Sequence, residues 1–531
     1  MELEESKTNK YLIAIAVLLP GILALVASSA TNACQQNIAG YFGSTQYETN
    51  TVITSYIIAN GIMLPLTAFL MKKLGSKLFM TLCLVLFTIG CGLCVIAPTL
   101  KLLILARIVQ GIGGGCILPL CQAILLSTFS GPQVSIAMGL YGIEAMFSPL
   151  IGPFIGGYLT DNFSWKWVFI ANIPLCIIAL LLVKTFLPDD KKTKEKYNKK
   201  FDTVGFTAMA IAMGCLQIVL DKGEQFNWFD TTWICWVSGI SVVAFVFFYV
   251  WELECKNPVI DIRVFKDKNF LLGTAISSIV NILLYSTLLL TPMFVQSLLG
   301  YSPSASGLAM LPRAIICAIG LLVVGGIAEY VEHRLLTIIG FVIMGISVLW
   351  MCSLSTTASM DAVVWPNILL CIGVPIAFVP ISSLSFLTLP KSKNADAAAL
   401  HALFKNIVTA MSTALSATFI SRFAQVHQNY LVGDLSYHNP IFRAQFTAIQ
   451  HKFMVHYPTI LATRKANGLL YKELIQQSKL AAFYDIFALL ALLAIITIPF
   501  IFLLKSKKTN ELQNNGDKKN RSDNLPVKIL H

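Results

Sequence analysis

The chain has 531 residues, of which 56% are hydrophobic and 12% charged, with a mean hydropathy of +0.72 and a formal net charge of +12. Soluble domains carry about a quarter of their residues as charges, so the composition excludes a soluble globular protein and describes an all-α polytopic membrane protein. Membrane topology accounts for the basic excess, and no soluble face remains to carry it, which excludes a nucleic-acid partner.

Apolar runs of roughly 17–25 residues predict membrane spans. They fall at 11–32, 52–71, 78–97, 102–126, 134–160, 167–187, 204–220, 232–251, 270–296, 305–328, 335–354, 363–386, 397–421 and 481–504, fourteen in all. No small-residue cleavage site follows the first run, so Tyr11–Asn32 is read as a retained span and not a removed signal peptide. An even number of spans puts both termini on one side. The basic cluster Lys191, Lys192, Lys194, Lys196, Lys199 and Lys200 fixes that side as cytoplasmic, because the short external loops hold only Lys101, Lys166 and Lys222.

Span four contains LARIVQGIGGG (Leu105–Gly115), with Arg107, Gln110 and Gly111. Its glycines lie in an apolar helix with no preceding strand and no following Lys-Ser/Thr, so they predict helix packing and not a phosphate cradle. Span five carries SPLIGPFIGGYL (Ser148–Leu159). Prolines and glycines are tolerated in a membrane helix where neighbours pack on the exposed backbone, and Gly152, Gly156 and Gly157 offer a flat surface for that.

Four charged residues fall deep inside spans: Arg107, Glu144, Arg313 and Lys405. A charge at the bilayer centre costs on the order of 3 kcal/mol even on the mildest scales, which makes each a functional candidate facing a cavity. Arg107 lies roughly 8 Å below the outer boundary and Glu144 roughly 15 Å deep. The two are expected to meet, with Glu144 as the protonatable carboxylate and Arg107 tuning it. Lys405 and His401, four residues apart, share one face of span thirteen. They either line the pathway or leave Lys405 bonded to a carbonyl. Arg313 is a further possible cavity residue, as are Asn32 and Gln35 at the end of span one. Asp221 and Asp485 lie close to water, where capping or surface roles are expected. Thirteen cysteines scattered through apolar stretches predict neither disulfides nor a metal site.

The expected organisation is a first six-helix bundle (1–187), a linker with two extra helices (188–269), a second six-helix bundle (270–504) and a disordered tail (505–531). The second bundle carries a large external loop over 422–480, within which FRAQFTAIQHKFM reads as an amphipathic helix.

These motifs together give the chain a broad resemblance to the fourteen-span drug:proton antiporters of the major facilitator superfamily, of the EmrB/QacA type. SPLIGPFIGGYL resembles their fifth-helix antiporter motif (Pro149, Gly152, Pro153, Gly156, Gly157), and LARIVQGIGGG their fourth-helix motif (Arg107, Gln110, Gly111). VITSYIIANGIMLPLTAFLMKKLG (Val52–Gly75) is similar to the second helix and its loop, with Lys72 where most members have aspartate. LQIVLDKGEQFNWF (Leu216–Phe229) and LGYSPSASGLAMLP (Leu299–Pro312) are further matches. Ala27 stands where the branch carries a first-helix aspartate, and Ile407 is read at the place of a late arginine.

The resemblance implies a major facilitator fold with a 6+2+6 arrangement, rocking halves and multidrug export. It implies the proton gradient as energy source, without a cofactor. It also implies an EmrA-type periplasmic adaptor and an outer-membrane channel as partners at the inner membrane. An exporter dedicated to one metabolite, such as a siderophore or fatty acid, fits the same residues. A lipid-modifying membrane enzyme would need paired metal-binding carboxylates. The adjacent pair Asp189–Asp190 opens a lysine-rich linker and reads as solvated.

Overall fold

The computed structural model describes residues 2–129, 133–188, 202–255, 258, 260–301, 303–328, 330–390, 393–435 and 438–505. The basic linker cluster, Asp189–Asp190 and the polar tail beyond 505 lie outside the described residues. Every regular element among the described residues is helical. The first half comprises α1 (Glu2–Ala33), α2 (Gln35–Phe42), α3 (Gln46–Met63), α4 (Leu66–Leu74), α5 (Ser76–Ile96), α6 (Leu100–Gly115), α7 (Ile117–Thr128), α8 (Val134–Gly142), α9 (Ser148–Asn162), α10 (Trp167–Ile170) and α11 (Asn172–Phe186). The additional pair is α12 (Thr203–Lys222) and α13 (Thr232–Glu254). The second half comprises α14 (Lys268–Ser297), α15 (Pro303–Ile327), α16 (His333–Met351), α17 (Met360–Phe386), α18 (Asn394–Asp434), α19 (Pro440–Met454) and α20 (Thr459–Ile501).

Long apolar helices satisfy their own backbone in lipid, so polar caps gather at their ends. Thr45 and Glu48 form a capping box at α3, Thr99 caps α6, Asp202 caps α12 and Asp267 caps α14. Among the described residues thirteen helices are long and apolar enough to cross a membrane, and a bent pair, counted as one span, makes fourteen. That pair is the second span, where α3 and α4 meet at 58° across Leu64–Pro65. Proline has no N–H for the preceding turn, which breaks a run that hydropathy reads as one straight helix.

The segment expected as a large loop is nearly all helix. At 1.5 Å per residue, α18 with 41 residues and α20 with 43 reach about 60 Å and 65 Å, twice a bilayer core. Their ends project together, and α19 lies against α20 through Phe442, Phe446, Ala466 and Leu470. The additional pair is stitched by the Ser241 hydroxyl donating to the Ala212 carbonyl at 2.9 Å. α12 also reaches the second half, where Gln217 donates to Asn406 of α18 at 3.1 Å.

The two halves meet near the face at which α1 begins, called the N-terminal face below. There Lys72 of α4 pairs with Asp396 of α18. Ser135 of α8 is 3.0 Å from His333 of α16 and 3.4 Å from Ser383 of α17. Close approach at Gly139 tightens the seam, since a Cβ there would stand 2.7 Å from the Leu321 carbonyl oxygen.

Candidate functional site: the buried charges of the helix bundle

The fifth span changes register where its charge sits. Residues Ile143–Phe147 form a π-helical turn between α8 and α9, and Glu144 lies in it. Such turns insert one residue and recur at functional sites. Pro149 has no N–H to give the turn before it, and the Ala145 carbonyl is met by the Tyr285 hydroxyl of α14 at 3.5 Å. On either side of Pro153, Gly152 and Gly156 bring α9 onto α1. A Cβ on Gly152 would stand 1.8 Å from the Ser29 hydroxyl, and one on Gly156 would stand 2.4 Å from the Ala30 carbonyl oxygen. Gly157 faces open space, so the surface read from three glycines is made by two, spaced one turn apart.

Glu144 is fully buried; no nitrogen or oxygen donor reaches either carboxyl oxygen, and the Cys121 thiol lies within hydrogen-bonding reach. Its headgroup fills a notch over Gly21 of α1. The cation whose field reaches it is Lys405 of α18. Lys405 is itself buried, and its Nζ lies 5.4 Å from the Tyr141 ring and 5.0 Å from the Phe378 ring. The carbonyl bond considered for Lys405 is not formed. His401, one turn away, is fully buried, with Nδ1 3.3 Å from the Thr274 hydroxyl and its ring against Phe386.

Arg107 does not meet Glu144. Its Nη1 donates to Gln110 at 2.6 Å and its Nε to the Val52 carbonyl at 3.3 Å, while the guanidinium lies 4.2 Å from the Tyr56 ring. The two were expected together because both are deep in the first half, but depth does not fix the direction a helix faces. Tyr56 in turn donates to the Ala24 carbonyl of α1 at 3.2 Å, one turn from Gly21. Arg107 and Glu144 therefore touch the same helix at neighbouring turns through different partners. Gly111 presses α6 on α3, where a Cβ would stand 2.7 Å from the Tyr56 carbonyl oxygen.

In the second half, Arg313 is fully buried and donates to Asn367, to the Leu284 carbonyl and to Thr287, each at 3.0 Å. These bonds tie α15 to α14 and α17. Asp221 joins α12 to α3 by accepting from Asn50 at 2.9 Å, and Gln35 reaches Asn50 at 3.4 Å. Asn32 is exposed at the end of α1. Asp485 pairs with His427 at 2.7 Å between the long helices α20 and α18. All thirteen cysteines are unbridged. Cys91 and Cys94 are spaced C-x-x-C, a spacing the reading of scattered cysteines passed over. Gln110 links this pair to Arg107, donating to the Cys91 sulfur at 3.1 Å.

Sequence reasoning missed Gly21, Tyr141 and Phe378. Gly21 after Pro20 was visible as a helix-weakening pair, but nothing in the sequence names the side chain that fills its notch.

The sequence profile of the Major Facilitator Superfamily matches residues 16–413. The multidrug export protein EmrB of Escherichia coli (strain K12) is 27% identical over 493 residues, covering 92% of this chain and 94% of that protein. The fatty acid resistance protein FarB of Neisseria gonorrhoeae is 26% identical over 494 residues, covering 93% and 96%. Among solved structures, the human organic anion transporter MFSD10 superposes with a TM-score of 0.58 at 12% identity, covering 93% of this chain and 99% of that one, a likeness of fold. With a matched profile over three quarters of its length and this helical architecture, the chain belongs to the Major Facilitator Superfamily.

Proposed function

We propose that this protein is a proton-coupled antiporter that exports lipophilic or amphipathic compounds across the bacterial inner membrane, with both termini cytoplasmic. One observation carries the reading. Glu144 is a fully buried carboxyl that no nitrogen or oxygen donor reaches, placed on a π-helical turn where the two halves approach. A carboxyl in that position holds a proton or a cation, and its exchange between them is the chemistry an antiporter needs. The multidrug export protein among its relatives supports the substrate class.

In this reading the bundles 1–187 and 270–504 rock about the central charges, with residues 188–269 bridging them. The Lys72–Asp396 seam then closes the cytoplasmic side, so the structure faces outward. Arg107 holds the second, fourth and first spans in register, and the proton gradient supplies the energy. The projecting ends of α18 and α20, with α19 between them, offer a periplasmic adaptor and its outer-membrane channel a rigid arm to grip.

The test is drug-driven proton flux in proteoliposomes, comparing the parent with Glu144→Gln. Parent flux that the variant loses even at drug concentrations that saturate its binding supports the reading. A variant with full proton-coupled flux removes Glu144 from the role. The second reading, an exporter of one natural amphiphile, is favoured by the likeness to a fatty acid resistance protein. Competition of single fatty acids against drugs in the same vesicles separates the two.

A further inference from the structure

The surroundings of Lys405 are unlike those of the other buried cations. Arg107 and Arg313 each give hydrogen bonds to a side-chain amide and a backbone carbonyl. Lys405 gives none, and its ammonium stands over two aromatic faces, at 5.4 Å from the Tyr141 centroid and 5.0 Å from Phe378. The rings are stacked at 24° with centroids 6.4 Å apart, one from each half of the chain. Both are fully buried. An ammonium over aromatic faces is held by the ring quadrupoles, most strongly when desolvated, and the same geometry recognises quaternary ammonium ligands.

One turn beyond Tyr141 stands Glu144, whose two oxygens have no nitrogen or oxygen donor and only the Cys121 thiol within hydrogen-bonding reach. Aromatic faces beside a carboxyl that only a thiol can reach are the two components of a receptor for a delocalised cation, for which hydrogen bonds are not needed. A lysine on a flexible four-carbon stem can enter such a receptor and leave it again. Other titratable groups face the same space. Cys121 and Tyr285 lie on the Glu144 side and His401 on the Lys405 side, and none of them is a fixed cation.

We infer that the slot between Tyr141 and Phe378, closed at one end by Glu144, binds the cationic head of an amphiphilic substrate, and that Lys405 is a tethered competitor for that slot. A substrate cation takes the rings and the carboxylate, and Lys405 withdraws along α18. Because Tyr141 belongs to the first half and Phe378 to the second, exchange of the tethered cation for a free one alters what joins the halves. This inference rests on the export reading above but is tested by binding alone.

The experiment is equilibrium binding of tetraphenylphosphonium to the purified full-length protein, without any gradient. Lys405→Met is expected to bind it about tenfold more tightly than the parent, because the competitor is gone, and Lys405→Arg about as the parent does. Glu144→Gln and Tyr141→Ala are each expected to weaken it about tenfold, while Tyr141→Phe, which keeps the ring face, stays close to the parent. Tyr141→Ala against Tyr141→Phe reads the slot independently should the methionine variant not fold. Equal or weaker binding by a folded Lys405→Met overturns the inference. So does binding of dodecanoate to the parent that Lys405→Met abolishes, which would make Lys405 an anion receptor. Loss of proton coupling in vesicles with these binding shifts intact would refute the antiport reading and leave the site standing.

Discussion

The Glu144 carboxyl occupies a notch that Gly21 opens in α1. A Cβ at position 21 would stand 1.5 Å from Oε1 and 2.1 Å from Cδ. Every atom in that clash belongs to the end of a flexible side chain, so the backbone need not move. Gly21→Ala is expected to fold with a thermal midpoint close to the parent's while displacing the Glu144 headgroup. Transport is then expected to fall by about tenfold or more, as for a misplaced reacting group. Transport assays beside unfolding curves check this, and an alanine variant with parental transport would show the notch to be idle.

Gly156 and Gly157 provide an adjacent contrast. At Gly156 the clash is with the Ala30 backbone carbonyl at 2.4 Å, which no rotamer relieves, whereas Gly157 meets nothing within 4 Å. Gly156→Ala is expected to destabilise by about 1–3 kcal/mol, the usual range for overpacking. Gly157→Ala is expected to be neutral or slightly stabilising. Paired thermal unfolding in detergent decides, and similar losses at both positions would contradict the packing.

Lys72 and Asp396 join the halves at the N-terminal face with the lysine about a quarter exposed. Asp396 is itself buried, but a pair open to water on its lysine side contributes about 1 kcal/mol, enough to shift a conformational equilibrium about fivefold but not to hold the fold. Lys72→Asp or Asp396→Lys alone is expected to speed alkylation of a cysteine placed at Ser135 on that seam. The double swap is expected to restore the slow rate. Fast alkylation in the double swap would remove the pair as a latch.

The two buried arginines are expected to resist replacement by lysine. Arg107 uses two nitrogens and the flat face of its guanidinium, and Arg313 spreads three bonds over two nitrogens. An ammonium cannot reproduce either fork. Each hydrogen bond to a charged group is worth about 1.5–3 kcal/mol. Arg107→Lys and Arg313→Lys should therefore each lower stability by roughly 2–3 kcal/mol. Unfolding midpoints in detergent measure this, and unchanged midpoints would mean that the forks are not structural.

The projecting arm has its own small apolar cluster, in which Phe446 is buried against α20. Phe446→Ala is expected to cost about 3–5 kcal/mol locally, freeing α19 from α20. Limited proteolysis should then cut between Leu435 and Pro458 in the variant before the parent, while drug binding by the membrane part stays unchanged. Parental protease resistance would show that the arm is held by other contacts.

Hydropathy alone located the thirteen membrane-length helices and the bent pair found among the described residues, because lipid forces a helix to be apolar over a fixed length whatever it packs against. The prolines and glycines of Ser148–Leu159 likewise announced close packing from their own chemistry. The broken second span was not legible, since Pro65 in an apolar run is compatible with a kink or a full break. Of the arm, the amphipathic run FRAQFTAIQHKFM was legible and is α19, but the extensions of α18 and α20 were not, because polar helical ends resemble loop to any measure of membrane character. The deepest failure concerns Arg107 and Glu144, whose depth was right and whose pairing was not. Depth along a helix follows from counting residues at 1.5 Å each. The direction a side chain faces depends on which neighbour each helix meets, and only the packed bundle decides that. Sequence therefore determined that buried charges exist and how far in they lie. The tertiary structure gave Arg107 to Gln110 and Tyr56, and set Glu144 over Gly21 across from Lys405.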